Sequence, residues 1–229
     1  MLIRSIVSDM DFYSISKEKY IETGRRLYSY YSLLSDMKRG SITHKTKGDN
    51  TYYYLTYRDG KTVKTDYIGN ADDSVCLVEA ELKKRKQLEE DIKKTIDERE
   101  ACEHALTYKG WCLAGKYDFS LYYDDLLVAD VFSDENEVHI NRYEKSPGMQ
   151  LFYKDEMTRY ELGEILESRC WDSHRENIDA YLGRLKLNNY DPYEICKRTH
   201  GIMLQDLFWM KFLGEKFDGR RLLRRCNLV

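Results

Sequence analysis

The chain has 229 residues, 42% of them hydrophobic and 34% charged, with a formal net charge of −3. That length makes one large or two small domains with ordinary buried cores, and the charge excludes a protein whose whole surface would coat a polyanion. The longest apolar runs, such as Leu126-Leu127-Val128-Ala129, are too short to span a bilayer, and no signal-peptide core is visible, so the expected location is the cytoplasm with no membrane partner.

Leu2-Ile3-Arg4-Ser5-Ile6-Val7 reads as a short strand. Ser16 reads as an N-cap with Glu18 in the first turn, opening a helix to about Met37 whose seam is Tyr20, Leu27, Tyr31 and Leu34 with Gly24 between. A β-meander follows over 42–47, 51–57 and 62–68, punctuated by Gly48-Asp49-Asn50, Arg58-Asp59-Gly60-Lys61 and Gly69-Asn70. Asp59-Gly60 predicts a two-residue type I′ turn. That turn sets Tyr54 opposite Thr65 and Tyr52 opposite Tyr67. Tyr52, Tyr54, Val63 and Tyr67 then share one face, and Tyr53, Leu55, Tyr57 and Lys64 the other.

Residues 73–106 read as one charged helix, about 50 Å long, with Val75, Val78, Leu82, Leu88, Ile92 and Ile96 in a narrow stripe. Only another helix covers such a stripe well. The first helix, folded back antiparallel with the meander at the turning end, is the simplest partner; self-association as a coiled coil is the competitor. Lys109-Gly110-Trp111 and Gly115 mark a bend, which divides the chain into 1–108 and 109–229.

The second part reads as strands over 119–123, 126–132 and 137–143, then Pro147-Gly148, a further strand and three short helices. The helix starts are marked by Thr158 with Glu161, Ser173 with Glu176, and Asp191 with Glu194, the last with Pro192 at the first helical position. Gly201 and a final strand through Trp209 complete it. The fold class is α+β: a long helical hairpin with a three-stranded antiparallel meander, then a small antiparallel sheet with three short helices.

Leu121-Tyr122-Tyr123-Asp124-Asp125-Leu126-Leu127-Val128-Ala129-Asp130 resembles the opening hairpin of the N-terminal subdomain of HipA-type toxin kinases. Glu164-Ile165-Leu166-Glu167-Ser168-Arg169 through Ser173 is similar to that family's helix and following loop. Asp191-Pro192-Tyr193-Glu194-Ile195-Cys196, with Gly201 and the stretch to Trp209, is similar to its short helix, glycine and last strand. The resemblance spans residues 117–212. It implies an interaction subdomain that sits beside a kinase core, contacts a helix-turn-helix antitoxin, or restrains a separate kinase when free-standing. The chain has no glycine-rich phosphate loop with its lysine and no His-Arg-Asp or Asp-Phe-Gly motif, so phosphoryl transfer is not carried over. The expectation is a non-enzymatic regulatory protein of toxin–antitoxin or mobile-element type that docks on a protein partner, a kinase or a helix-turn-helix regulator. A phage-encoded anti-defence inhibitor is a variant of that reading.

Nucleic acid is the competing partner. Residues 38–68 hold seven Lys or Arg against three Asp, in a protein otherwise acidic and with 20 tyrosines against 7 phenylalanines. Lys45, Lys47, Arg58, Lys61 and Lys64 would meet phosphates while Tyr53 and Tyr57 stack on bases. The meander also resembles the small three-stranded sheets with which tyrosine recombinases bind DNA arms, which implies DNA or RNA as ligand. The plainer alternative is that one tyrosine face packs on the helices and the other is solvated.

Arg220, Arg221, Arg224 and Arg225, around Leu222-Leu223, form a basic amphipathic turn suited to an acidic partner, or a solvated tail. Six cysteines without a Cys-x-x-Cys motif suit free thiols in a reducing compartment, and neither a metal nor a cofactor is expected. Cys170, Asp172 and His174 are sequence neighbours without a legible third group, so no catalytic residue is assigned. His200 is read as a cation complementing a helix C-terminus, and Trp111, Trp171 and Trp209 as core or junction packing.

Overall fold

A computed structural model of the chain describes residues 2–70, 72–107, 118–133, 137–146 and 151–219, with side chains from residue 12 onward except that of Asp72. The fold is α+β. In chain order the elements are α1 (Leu2–Asp36), β1 (Ser41–Lys47), β2 (Asn50–Asp59), β3 (Thr62–Gly69), α2 (Asp72–Leu106), β4 (Phe119–Tyr123), β5 (Leu126–Ser133), β6 (Glu137–Arg142), β7 (Glu156–Thr158), α3 (Arg159–Glu167), α4 (Ile178–Leu185), α5 (Pro192–Thr199) and β8 (Phe208–Phe212). No helix among the described residues is long and apolar enough to cross a membrane. The bends at Lys109-Gly110-Trp111, Gly115 and Pro147-Gly148, the 134–136 turn residues, Trp111, and the arginines Arg220, Arg221, Arg224 and Arg225 lie outside the described residues.

Two compact units are present, Met1–Tyr28 with Asp97–Val229, and Ser29–Ile96. Each draws on both long helices, whereas the partition read from the sequence cuts once, after residue 108.

Helix α1 is longer than the sequence suggested. Its backbone is helical from Leu2, and Ser16, read as its N-cap, is buried in its interior. Leu2, Ile3, Ile6, Val7 and Met10 recur at helical spacing, and that period prevails over the strand preference of isoleucine and valine.

In the unit Ser29–Ile96, Arg85 of α2 donates to the Leu34 and Met37 carbonyls, both at 3.0 Å. It thereby satisfies acceptors that the end of α1 leaves open. The sheet runs β1-β2-β3, antiparallel throughout. The β2–β3 turn differs from expectation. Asp59 pairs with Thr62, so Gly60 and Lys61 form the loop, and Tyr54 faces Tyr67 while Thr56 faces Thr65. Gly60 has φ +58° while Lys61 is not among the positive-φ residues, the arrangement of a type II′ turn with glycine at its first central position. Moving the turn by one residue on both strands preserves side-chain parity, so both predicted faces survive.

The other unit is built on a five-stranded antiparallel sheet of order β7-β6-β5-β4-β8. Its core holds Leu121, Val128, Val131, Val138 and Ile140 of the strands, joined by Phe119, Phe152, Leu162, Leu166 and Phe212. Beneath it lies a buried polar network. Asp130 on β5 is 0% exposed and accepts from Arg99 Nη2, Ser120 Oγ and Tyr143 Oη, each at 2.6 Å. Arg99 also donates to the Tyr20 carbonyl at 2.7 Å and lies 3.5 Å over the Tyr20 ring. Burial and the Asp130 carboxylate push the Tyr143 phenol far above its ordinary pKa, so it stays a donor. Gly24 gives that ring its space, because a Cβ there would stand 2.4 Å from the Tyr143 oxygen.

Strand β8 is an edge strand with its outward backbone groups occupied. Phe208 N–H donates to Asp206 and Met210 N–H to the His200 carbonyl; the Met210 carbonyl accepts from His200 Nδ1 and the Phe212 carbonyl from Glu215 N–H. Arg169 grips Asp206 in a two-pronged ion pair at 2.5 and 2.9 Å and donates to the Gly201 carbonyl. Such cover removes the pairing template that an open edge offers. His200 thus caps α5 in a left-handed conformation, but not as the expected cation. Burial lowers the pKa of its imidazole, and Nδ1–H serves β8.

Two of the three predicted helix caps are present. Thr158 and Glu161 form a reciprocal capping box, and the Asp191 side chain accepts from Tyr193 and Glu194 N–H with Pro192 following. Ser173 caps nothing. Helix α4 begins at Ile178 behind Asn177, and Ser173 Oγ meets His174 instead, because Asp172 folds the intervening turn by accepting from His174 N–H.

Arg99→Met strands a buried carboxylate and is expected to cost about 3–5 kcal/mol, with Asp130→Asn added on top recovering part of the loss. Urea unfolding at constant m-value measures this, and simple additivity of the two costs would contradict it. Gly24→Ala discriminates further: helix propensity alone would stabilise by about 1 kcal/mol, whereas the clash with Tyr143 predicts destabilisation.

Thr158→Ala and Asp191→Ala are each expected to cost about 0.5–2 kcal/mol in the same assay. Lys154, then Thr158, lowers the Glu161 carboxyl to about 2. Its contribution is therefore complete above the ordinary value of 4.5 and disappears as pH falls from there through about 2. A Glu161→Gln variant should lose the corresponding part of the pH dependence of Tm in that window.

Candidate nucleic-acid interface

The meander's two faces differ in kind. The face bearing Ile42, Leu55 and Ile68 carries three of its four aliphatic residues, Val63 lying exposed on the other, and Leu55 is 6% exposed. This face turns toward the helix ends of its unit, where Leu34, Met37, Leu55, Tyr57, Ile68 and Val78 help to line a cavity of about 870 Å³. Its charges are paired. Lys64 and Arg39 both meet Asp59, and the mutual bond raises the Lys64 pKa and lowers that of Asp59. A hydrogen bond to Asp66 raises the pKa of the Tyr57 phenol.

On the opposite, outer face, cross-strand register groups Lys45 with Tyr52, and Thr43 with Tyr54 and Tyr67. Tyr54 and Tyr67 are 5.4 Å apart between ring centroids, Tyr52 and Tyr67 6.4 Å, and the Lys45 ammonium lies 5.3 Å above Tyr54. Tyr67, on the edge strand β3, is 56% exposed and also reaches the cavity lining. By strand parity, Lys47 and Arg58 share this face, and both are exposed. Asp59 and Asp66 lie on the other side, so no carboxylate from the three strands falls on the outer face.

The predicted set is therefore divided. Lys45, Lys47 and Arg58 stand together on the outer face, and Lys61 sits in the β2–β3 loop. Tyr53, Tyr57 and Lys64 belong to the helix-facing side, where Tyr53 tilts against His44 at 6.3 Å. Tyr52, Tyr54 and Tyr67 take the place that the sequence reading gave to Tyr53 and Tyr57. The signal for this was Leu55: the face that holds most of the aliphatic residues packs inward.

The remaining candidates are dispersed. His174 is 94% exposed beside Asp172, while the Cys170 sulfur meets the Leu166 and Pro192 carbonyls and Cys196, so these three sequence neighbours do not form a common site. Trp209 is buried, stacked on Tyr122 at 4.3 Å. Trp171, read as core or junction packing, is 39% exposed and stacks on Tyr181.

Residues 17–75 match the family model of a domain of unknown function, DUF6788. That stretch holds the second half of α1, the whole meander and the first residues of α2. No curated protein and no solved structure matches the chain. The resemblances to HipA-type kinases and to recombinase arm-binding sheets rest on the sequence motifs that carry them.

Proposed function

We propose that this protein is a non-enzymatic nucleic-acid-binding protein whose ligand lies on the outer face of the meander. The observation that carries the reading is the segregation of charge: the sheet's carboxylates lie on the face toward the helices, where Asp59 pairs with Lys64, and the outer face keeps Lys45, Lys47 and Arg58 beside three tyrosines. In a chain of net charge −3, such a local excess acts within about a Debye length, which is the range of a bound phosphate backbone. Lys45 and Lys47 alternate along the edge strand β1, one pleat repeat apart, while Arg58 lies toward the far end of β2. Tyr52, Tyr54 and Tyr67 supply apolar rings with polar tips between these cations.

A second reading, docking of the module of residues 109–229 on a kinase or helix-turn-helix regulator, draws support from its order of strands and capped helices. It also draws on an exposed aromatic site in which Arg175 lies 4.2 Å over the Trp171 ring.

Binding of an oligonucleotide across a salt series tests the proposal. Log affinity should fall linearly with log salt, with a slope of roughly −0.7 to −0.9 per phosphate contact, and Lys45→Ala, Lys47→Ala and Arg58→Ala should each remove about one contact. Tyr54→Ala should weaken single-strand binding by about 1–3 kcal/mol. Lys64→Ala and Tyr57→Phe should leave the slope unchanged. No binding at low salt, or equal losses from variants on both faces, would refute the assignment.

A further inference from the structure

We propose that Cys170 and Cys196 form a peroxide-responsive dithiol that closes to an intramolecular disulfide. Their sulfurs are 3.7 Å apart, and both cysteines are free. They come from different elements, Cys170 from the turn after α3 and Cys196 from α5, and the Leu166 carbonyl lies 3.2 Å from the first sulfur and 3.5 Å from the second. A disulfide bond is about 2.05 Å long, so side-chain rotation has to close about 1.7 Å. The two members are not equivalent. Cys196 is 0% exposed, and the neighbouring sulfur and burial hold its thiol far above the ordinary pKa. Cys170 is only half-buried, so an oxidant meets it before Cys196. Among the described residues Cys76 and Cys102 are the other free cysteines.

The chemistry balances with hydrogen peroxide as oxidant. Deprotonated Cys170 attacks one peroxide oxygen, the O–O bond breaks, and a sulfenic acid forms while the departing hydroxide takes up a proton to become water. The Cys196 sulfur then attacks the sulfenic sulfur; the S–O bond breaks, the Sγ–Sγ bond forms, and the Cys196 proton leaves with the hydroxide as a second water. The two sulfurs lose two electrons in all, and one peroxide is reduced to two waters. The product ties the end of α3 to α5 and encloses α4 together with the stacked pair Trp171 and Tyr181 and with Tyr190, whose hydroxyl donates to the Trp171 carbonyl.

The test treats the reduced full-length protein with equimolar hydrogen peroxide, blocks remaining thiols with N-ethylmaleimide and maps peptides by mass spectrometry. The expected product is a peptide pair linked through Cys170 and Cys196, lighter by two hydrogens, restored by dithiothreitol. Cys170→Ser should abolish the link and leave Cys196 as a thiol. Cys196→Ser should leave a sulfenic acid at Cys170 that dimedone traps; because Cys196 is buried, the Cys170→Ser result stands by itself if that variant fails to fold. Oxidation of Cys76 ahead of Cys170, or links from Cys170 to another cysteine or another molecule, would overturn the proposal.

Discussion

The buried pair of Arg99 and Asp130 is the constraint on which the larger unit depends. A carboxylate with no solvent exposure carries a desolvation penalty of several kcal/mol, and it is tolerable only where its acceptor positions are filled. Arg99, Ser120 and Tyr143 fill them. Each partner brings an element with it: Arg99 the last turns of α2, Ser120 the strand β4, Tyr143 the segment after β6, and Tyr20, which accepts from Arg99, the helix α1. Gly24 completes the arrangement by leaving room for the Tyr143 ring. This is why the first 28 residues and the end of α2 group with the five-stranded sheet although the meander separates them in sequence.

That unit covers the edge of its sheet. Arg169, Asp206, His200 and Glu215 occupy the outer edge of β8, leaving that edge unsuited to strand addition by another chain. The meander does the reverse. Its helix-facing side pairs Lys64 with Asp59 and Tyr57 with Asp66, and its outer side presents cations beside a tyrosine cluster. A surface of that kind is kept at some cost in charge repulsion, and a polyanion would relieve it.

Local chemistry was legible in the sequence, and long-range chemistry was not. Thr158 and Asp191 announced their helices because an N-cap and its N–H partners lie within three residues. Ser173 carried the same signature and failed: the Arg175 N–H that its hydroxyl would accept from donates to the Asp172 carbonyl instead. The alternation of the meander gave both faces correctly even though its turn lies one residue further on, because a symmetric shift leaves parity intact. Which face points outward needed Leu55 to be weighed above Lys64. Nothing local marks Asp130 as buried: its partner Arg99 is 31 residues away and Tyr20 lies further still. The expected role of His200 failed for a related reason, since only the packed structure shows the burial that disfavours its charge.

The most direct measurement is ultraviolet cross-linking of the full-length protein to a radiolabelled oligonucleotide, with the modified peptides identified by mass spectrometry. The account predicts cross-links at Tyr52, Tyr54 and Tyr67, the rings grouped on the outer face. Cross-links confined to Tyr53 and Tyr57, or to residues outside the meander, would contradict it.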